Sequence, residues 1–215
     1  MKEEKPEWWA NTAVVGLMGF GTTTMIAGLT NLPTPYSAGF AANWVVFGMA
    51  LAFGGTAQFI AGLISLRKGN MFAGSAFVGY GAFWWAFTLM LVEFAPGGPA
   101  VSPTNGALFL GVAGFAFIWM LFTFTFLINA PKHGWGVFLV FLFLFIAFIL
   151  LTVKFYSIGV TSCAPALPGT CGTFAGNAPA NWAVGGEILF DGFLAWYVAT
   201  ADLTNWNYGR KVLPV

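Results

Sequence analysis

Charge is what this 215-residue chain has least of: eight Lys and Arg and seven Asp and Glu make up 7% of it, where soluble domains carry about 25%. From Trp8 to Leu66 no side chain is charged. With a net charge of +1 and no basic cluster beyond pairs, nucleic acid is excluded as a partner. Histidine occurs once, at His133, and cysteine twice, at Cys163 and Cys171. That leaves no histidine cluster for a metal and no Ser-His-Asp set that a membrane topology would bring together easily. A Gly-rich phosphate loop ending in Lys-Ser/Thr is also missing. These absences argue against an enzyme and against a bound cofactor or metal.

Apolar residues fill the space that charge leaves, at 59% of the chain. Uncharged runs of about 18 residues or more read as membrane spans. The expected fold is an all-α integral membrane protein, one domain over residues 1–215 with six spans. They cover about residues 12 to 30, 40 to 66, 71 to 93, 105 to 129, 135 to 158 and 179 to 204, with breaks at Pro and Gly clusters or charged turns. The first is kept as a span, since Lys2 and Lys5 are outnumbered by Glu3, Glu4 and Glu7 and no small-residue cleavage site follows. Lys2, Lys5, Arg67, Lys68, Lys132, Arg210 and Lys211 fall on one side of this layout and only Lys154 approaches the other, so both termini are expected in the cytoplasm. Trp8, Trp9, Trp135 and Trp206 then mark the inner interface, and Tyr36, Trp44 and Trp182 the outer one. The loop 157–178 is placed outside the cytoplasm, where Cys163 and Cys171 form a disulfide or remain two free thiols.

Polar groups at membrane depth are few and therefore informative. The segment Gly54 to Phe87 is two small-residue-rich helical stretches joined by Arg67-Lys68-Gly69-Asn70, each with one hydrogen-bonding group, Gln58 and Tyr80. Gly54, Gln58 and Gly62 repeat every four residues and share a helix stripe where a backbone or a small solute can come close. Thr22, Thr23, Thr24, Thr123, Thr125 and Tyr197 add hydroxyls, each of which either serves a solute path or bonds its own helix backbone. Glu187 and Asp191 sit one turn apart in the sixth span, and intramembrane acids often mark an ion or proton path. The alternative for Glu187 is a wet outer vestibule or a pairing with Lys154.

Three blocks carry a family resemblance: GGTAQFIAGL from Gly54, RKGNMFAGSAFVGYGAFW from Arg67, and the tail GRKVLP from Gly209. The chain resembles the acetate uptake transporters, which include the bacterial succinate-acetate permease, over nearly all of its length except 157–178. The family signature Asn-Pro-Ala-Pro-Leu-Gly-Leu is matched by Asn11-Thr12-Ala13-Val14-Val15-Gly16-Leu17, with both prolines replaced. Asn11 is left as a candidate N-cap.

The resemblance implies six helices per subunit, a homohexamer in the cell membrane, and a path through each subunit narrowed by a Phe, a Tyr and a Leu. Those map onto Phe20, Tyr80 and Leu142, the last with Phe141 and Leu144 as alternatives in an undistinctive run. The family's polar groups map onto Asn11, Thr23 and Gln58. Glu187 and Asp191 depart from the bacterial permease. Each of Phe20, Tyr80 and Leu142 lies about 14 to 15 Å along its helix from the basic end, near the middle of a hydrocarbon layer of about 30 Å. The implied function is transport of acetate or a related small monocarboxylate, proton-coupled or as the protonated acid. The alternatives are a channel for ammonia, formate or succinate, and an assembly subunit with no path of its own.

Overall fold

The computed structural model describes residues 10–32, 40–93, 106–162 and 178–215. Trp8, Trp9, Tyr36, Cys163 and Cys171 lie outside them, so the disulfide expectation does too. Among the described residues the secondary structure is entirely helical. Helix α1 is Ala13–Asn31; α2 (Phe40–Met49) continues through a π-helical segment (Ala50–Ala57) into α3 (Gln58–Arg67). Next come α4 (Met71–Glu93), α5 (Gly106–Leu127), a 3-10 turn (Ala130–His133), α6 (Trp135–Ser162) and α7 (Ala178–Tyr208). Each expected span is thus a helical run. The last two are longer than the sequence suggests: α6 is helical to Ser162, with Ser157 Oγ donating to Val153 O at 2.7 Å, and α7 reaches Tyr208. Residues 157–162 are therefore helix and not loop.

Local chemistry explains the ends. Arg67 to Asn70 closes α3 and opens α4 in one tight turn. Gly69 takes φ +82°, a conformation costly for any residue with a Cβ, while Gly69 N donates to Leu66 O at 2.9 Å and Asn70 N to Ser65 O at 3.0 Å. Asn70 then caps α4, its Oδ1 accepting from Ala73 N at 3.0 Å. At the start of α1, Asn11 Oδ1 accepts from Ala13 N at 3.0 Å. Thr12 and Ser65 hydroxyls meet at 2.6 Å and tie this end of α1 to α3.

The helices pair as α1 on α7, α5 on α6 and α3 on α4, with α6 also on α7. The α1–α7 seam is backbone against backbone: a Cβ added at Gly192 would lie 2.6 Å from Met25 N. This is the close approach that small residues permit in lipid. One buried cluster gathers Phe20, Tyr80, Phe126, Phe141, Leu144 and Phe148; a second gathers Ala27, Val46, Trp84, Ala147, Val184 and Ile188. Large apolar side chains such as Ile60, Leu89, Ile118, Phe124 and Val153 point outward. Ala13–Asn31, Val45–Arg67, Phe109–Leu127 and Trp135–Val160 are long and apolar enough to cross a membrane. Trp135 and Trp206 are exposed at one end of the bundle.

Candidate functional site: a path through the helix bundle

Three helices each turn one stripe toward a common interior. On α1 the stripe is Leu17, Phe20, Thr24, Ala27 and Asn31; on α4 it is Ala73, Ala76, Tyr80, Trp84 and Phe87; on α6 it is Val137, Phe141, Leu144, Phe148, Leu151 and Phe155. The spacing of three and four residues is that of a helix face. Two cavities lie along these stripes. One, of about 200 Å³, runs from the end marked by Asn11, Asn70 and His133. The other, of about 110 Å³, runs toward Asn31, Met90 and Phe155. Phe20, Tyr80 and Leu144 line both, so the cavities meet at these three side chains.

Phe20 and Tyr80 stand with ring centroids 5.5 Å apart and planes tilted by 58°. Both are nearly inaccessible. The Tyr80 hydroxyl lies 2.9 Å from Thr123 Oγ1, which donates its own proton to Trp119 O at 2.7 Å. Thr123 has one proton, so Tyr80 is the donor in their bond. What Tyr80 offers the interior is ring surface and a hydroxyl lone pair, not a free proton.

Leu142 is half-buried and lines neither cavity. It stands about 200° around α6 from Leu144 at 3.6 residues per turn, and Leu144, one of the alternatives the sequence left open, is the α6 residue on both cavities. Of the polar positions, Asn11 and Gln58 line the wider cavity. Gln58 is 1% exposed, and its Oε1 has no hydrogen-bond partner among the described residues. Thr23 is fully buried yet lines neither cavity. Its hydroxyl faces Met49 O at 3.5 Å, where the π segment begins. The Thr23 side chain fills the place of a side chain at Gly54, where an added Cβ would lie 2.6 Å from Oγ1. Gly62 instead abuts Val78 of α4, so the expected Gly54–Gln58–Gly62 stripe serves two neighbours and a cavity, not one face.

Glu187 and Asp191 line neither cavity, although Ile188 between them lines the narrower one. All four of their carboxyl oxygens are buried with no hydrogen-bond partner among the described residues, and Asp191 is 0% exposed. Lys154 donates to Asn31 Oδ1 at 2.9 Å. Thr125 bonds its own backbone at Leu121 O, and Tyr197 holds Pro214 O of the tail. Sequence reasoning missed Asp202 and His133, which line the wider cavity, and Trp84, which lines the narrower one. The signal for Trp84 was present, since it follows Tyr80 by one helical turn.

A path of this kind between apolar stripes has counterparts among known proteins. The model of the GPR1/FUN34/yaaH family matches residues 1–209. The chain belongs to that family. It is 34% identical over 206 residues to the succinate-acetate/proton symporter SatP of Escherichia coli (strain K12), covering 96% of this chain and 95% of that one. Against acetate permease A of Emericella nidulans it is 31% identical over 214 residues, 96% of this chain and 66% of the relative. A solved structure of the bacterial acetate channel SatP superposes with a TM-score of 0.77 at 30% identity, covering 96% of this chain and 99% of that one. The protein is thus an all-helical, multi-pass membrane protein of a transporter and channel family.

Proposed function

We propose that the protein carries acetate, or a closely related small monocarboxylate, across the cell membrane through this path. One observation carries the reading: two cavities on opposite sides of the bundle converge on Phe20, Tyr80 and Leu144. A ring of aromatic and aliphatic surface at that point excludes hydrated ions, because it offers nothing to replace their water. A protonated carboxylic acid is neutral and crosses such a ring at far lower cost. With its proton spent on Thr123, the Tyr80 hydroxyl offers no donor to the oxygens of a carboxylate, so the ring does not favour the charged form. Passage as the acid, or coupled to a proton, follows from that. Asn11 and Gln58 in the wider cavity replace water around the carboxyl on one side of the ring. Asp191 and Glu187 remain the candidates for a proton path behind it. In this reading the six helical runs are six spans, both termini face the cytoplasm, and subunits assemble as a homohexamer.

Labelled acetate uptake into proteoliposomes, with and without an imposed inward-acid pH gradient, tests it. Uptake above empty vesicles, accelerated by the gradient, is expected. Uptake that ammonium abolishes at low concentration while excess propionate leaves it untouched counts against a carboxylate path, and no uptake at all removes the reading.

A further inference from the structure

The end of the bundle that carries Asn11, Asn70 and His133 is assembled from segments far apart in sequence. Lys68 Nζ donates to Ala10 O at 3.2 Å, and the His133 ring stacks on Phe72 with centroids 3.9 Å apart. The tail completes this end. Gly209, at φ +60°, reverses the chain after α7, and Asn205 and Tyr197 hold Val212, Leu213 and Pro214. That fold-back lays Val215 on the start of α6, where a Cβ added at Gly136 would lie 3.0 Å from Val215 Cγ2 and 2.9 Å from Val198 Cγ2. Lys211 Nζ donates to Val215 O at 3.5 Å. Arg210 and Lys211 of the tail therefore share one surface with Lys132 and Trp135, which flank the turn into α6.

The exposed side chains of that surface are of two kinds. Trp135 and Trp206 are 77% and 72% exposed, and Lys132, Arg210 and Lys211 are exposed beside them. The solute path uses none of these five. Negative charge is withdrawn from the surface, since none of Glu187, Asp191 and Asp202 is exposed. Indole rings settle at the level of lipid headgroups, apolar body inward and N–H in the polar layer. Cations at that depth are drawn to an anionic leaflet, and a guanidinium matches phosphate oxygens with two parallel donors.

We propose that Lys132, Trp135, Trp206, Arg210 and Lys211 form a docking surface for the headgroup of an anionic phospholipid, its phosphate on the three cations and its upper acyl carbons on the two indoles. The surface is independent of the carboxylate path and needs only that the protein spans a membrane. Native mass spectrometry of the protein extracted from vesicles of equal phosphatidylglycerol and phosphatidylcholine tests it. Wild type is expected to retain phosphatidylglycerol over phosphatidylcholine about fivefold or more. Lys132→Gln, and Arg210→Gln with Lys211→Gln, should each lower that ratio severalfold at unchanged particle mass, while Arg67→Gln on the α3–α4 turn leaves it as in wild type. Lys132→Gln, outside the tail, decides alone should the tail variant fail to assemble. A wild-type ratio near one overturns the surface, and so does an equal fall in Arg67→Gln, which makes the attraction a property of net charge. A change of particle mass at an unchanged ratio makes the patch a contact between copies and overturns it as well.

Discussion

At the scale of single residues, Leu144 and Leu142 make the sharpest contrast, because they differ by two positions in a run of like side chains yet only Leu144 borders both cavities. Leu144→Ala is expected to raise the ratio of lactate to acetate uptake, normalised to protein in the membrane. Leu142→Ala should leave that ratio at the wild-type value and cost only packing, less than the roughly 2 to 5 kcal/mol of a fully buried leucine. Equal ratios in the two variants would refute this placement. Tyr80 allows a second comparison. Its hydroxyl is turned to Thr123 and donates there, so Tyr80→Phe should cost about 1 kcal/mol in stability and change acetate uptake less than twofold. Tyr80→Ala removes ring surface and should admit larger acids. A tenfold loss of uptake in Tyr80→Phe, with normal protein level, would mean that the hydroxyl serves the solute directly.

At the scale of elements, the π-helical Ala50–Ala57 decides how the second helical run meets α1. Such segments shift the helix face by part of a turn, and this one lays Gly54 against Thr23 and brings Gln58 to the wider cavity. Thr56 Oγ1 donates to Leu51 O, five residues back, at 2.8 Å, the register that a π-helix presents. Gly54→Val is expected to lower the amount of folded protein in the membrane severalfold, since the Thr23 side chain leaves no room for it. Normal levels by quantitative immunoblot would show that the π segment relaxes to take it. The tail is an element of the same kind, fixed by Asn205 together with Tyr197. Asn205 Oδ1 accepts from Val212 N at 2.6 Å and Leu213 N at 2.9 Å, while its Nδ2 donates to Leu213 O at 2.8 Å. Asn205→Ala should free Gly209 to Val215 and make that tail cleavable by added carboxypeptidase at low enzyme concentration, where the wild type resists.

At the scale of the whole molecule, the proposed orientation rests on every Lys and Arg but Lys154 falling on one side of the layout. Asn70→Cys should resist impermeant thiol reagent added outside intact cells, in a background with Cys163 and Cys171 replaced by Ser. Labelling from outside would invert the proposed topology. The buried acids belong to this scale too, because Asp191, near the middle of α7, is wholly covered. If it carries a proton during transport, Asp191→Asn flattens the pH dependence of uptake at unchanged protein level. An unaltered pH profile returns it to a structural role.

Element existence was legible in the sequence because apolar runs this long cross lipid as helices, which satisfy every backbone group within the segment. Runs bounded by Pro, Gly and the Arg67–Asn70 turn mark those helices to within a few residues. The exceptions are α6 and α7, which run past the membrane-length estimate where no breaker stops them. Phe20, Tyr80, Asn11 and Gln58 were singled out through motifs, and each lines a cavity. Leu142 and Thr23, also singled out, line neither cavity, for one physical reason: a helix that is apolar all round carries no periodicity to say which face looks inward. On α6, between Val137 and Leu151, every side chain is apolar, so the choice of Leu144 over Leu142 was made by how α6 rotates against α1, α4 and α7. Thr23 and Thr24 are adjacent and chemically identical, and only the meeting of α1 with the π segment sends one into packing and the other into a cavity. Composition determined that this protein lives in a membrane as helices; the contacts between those helices determined where a solute can pass.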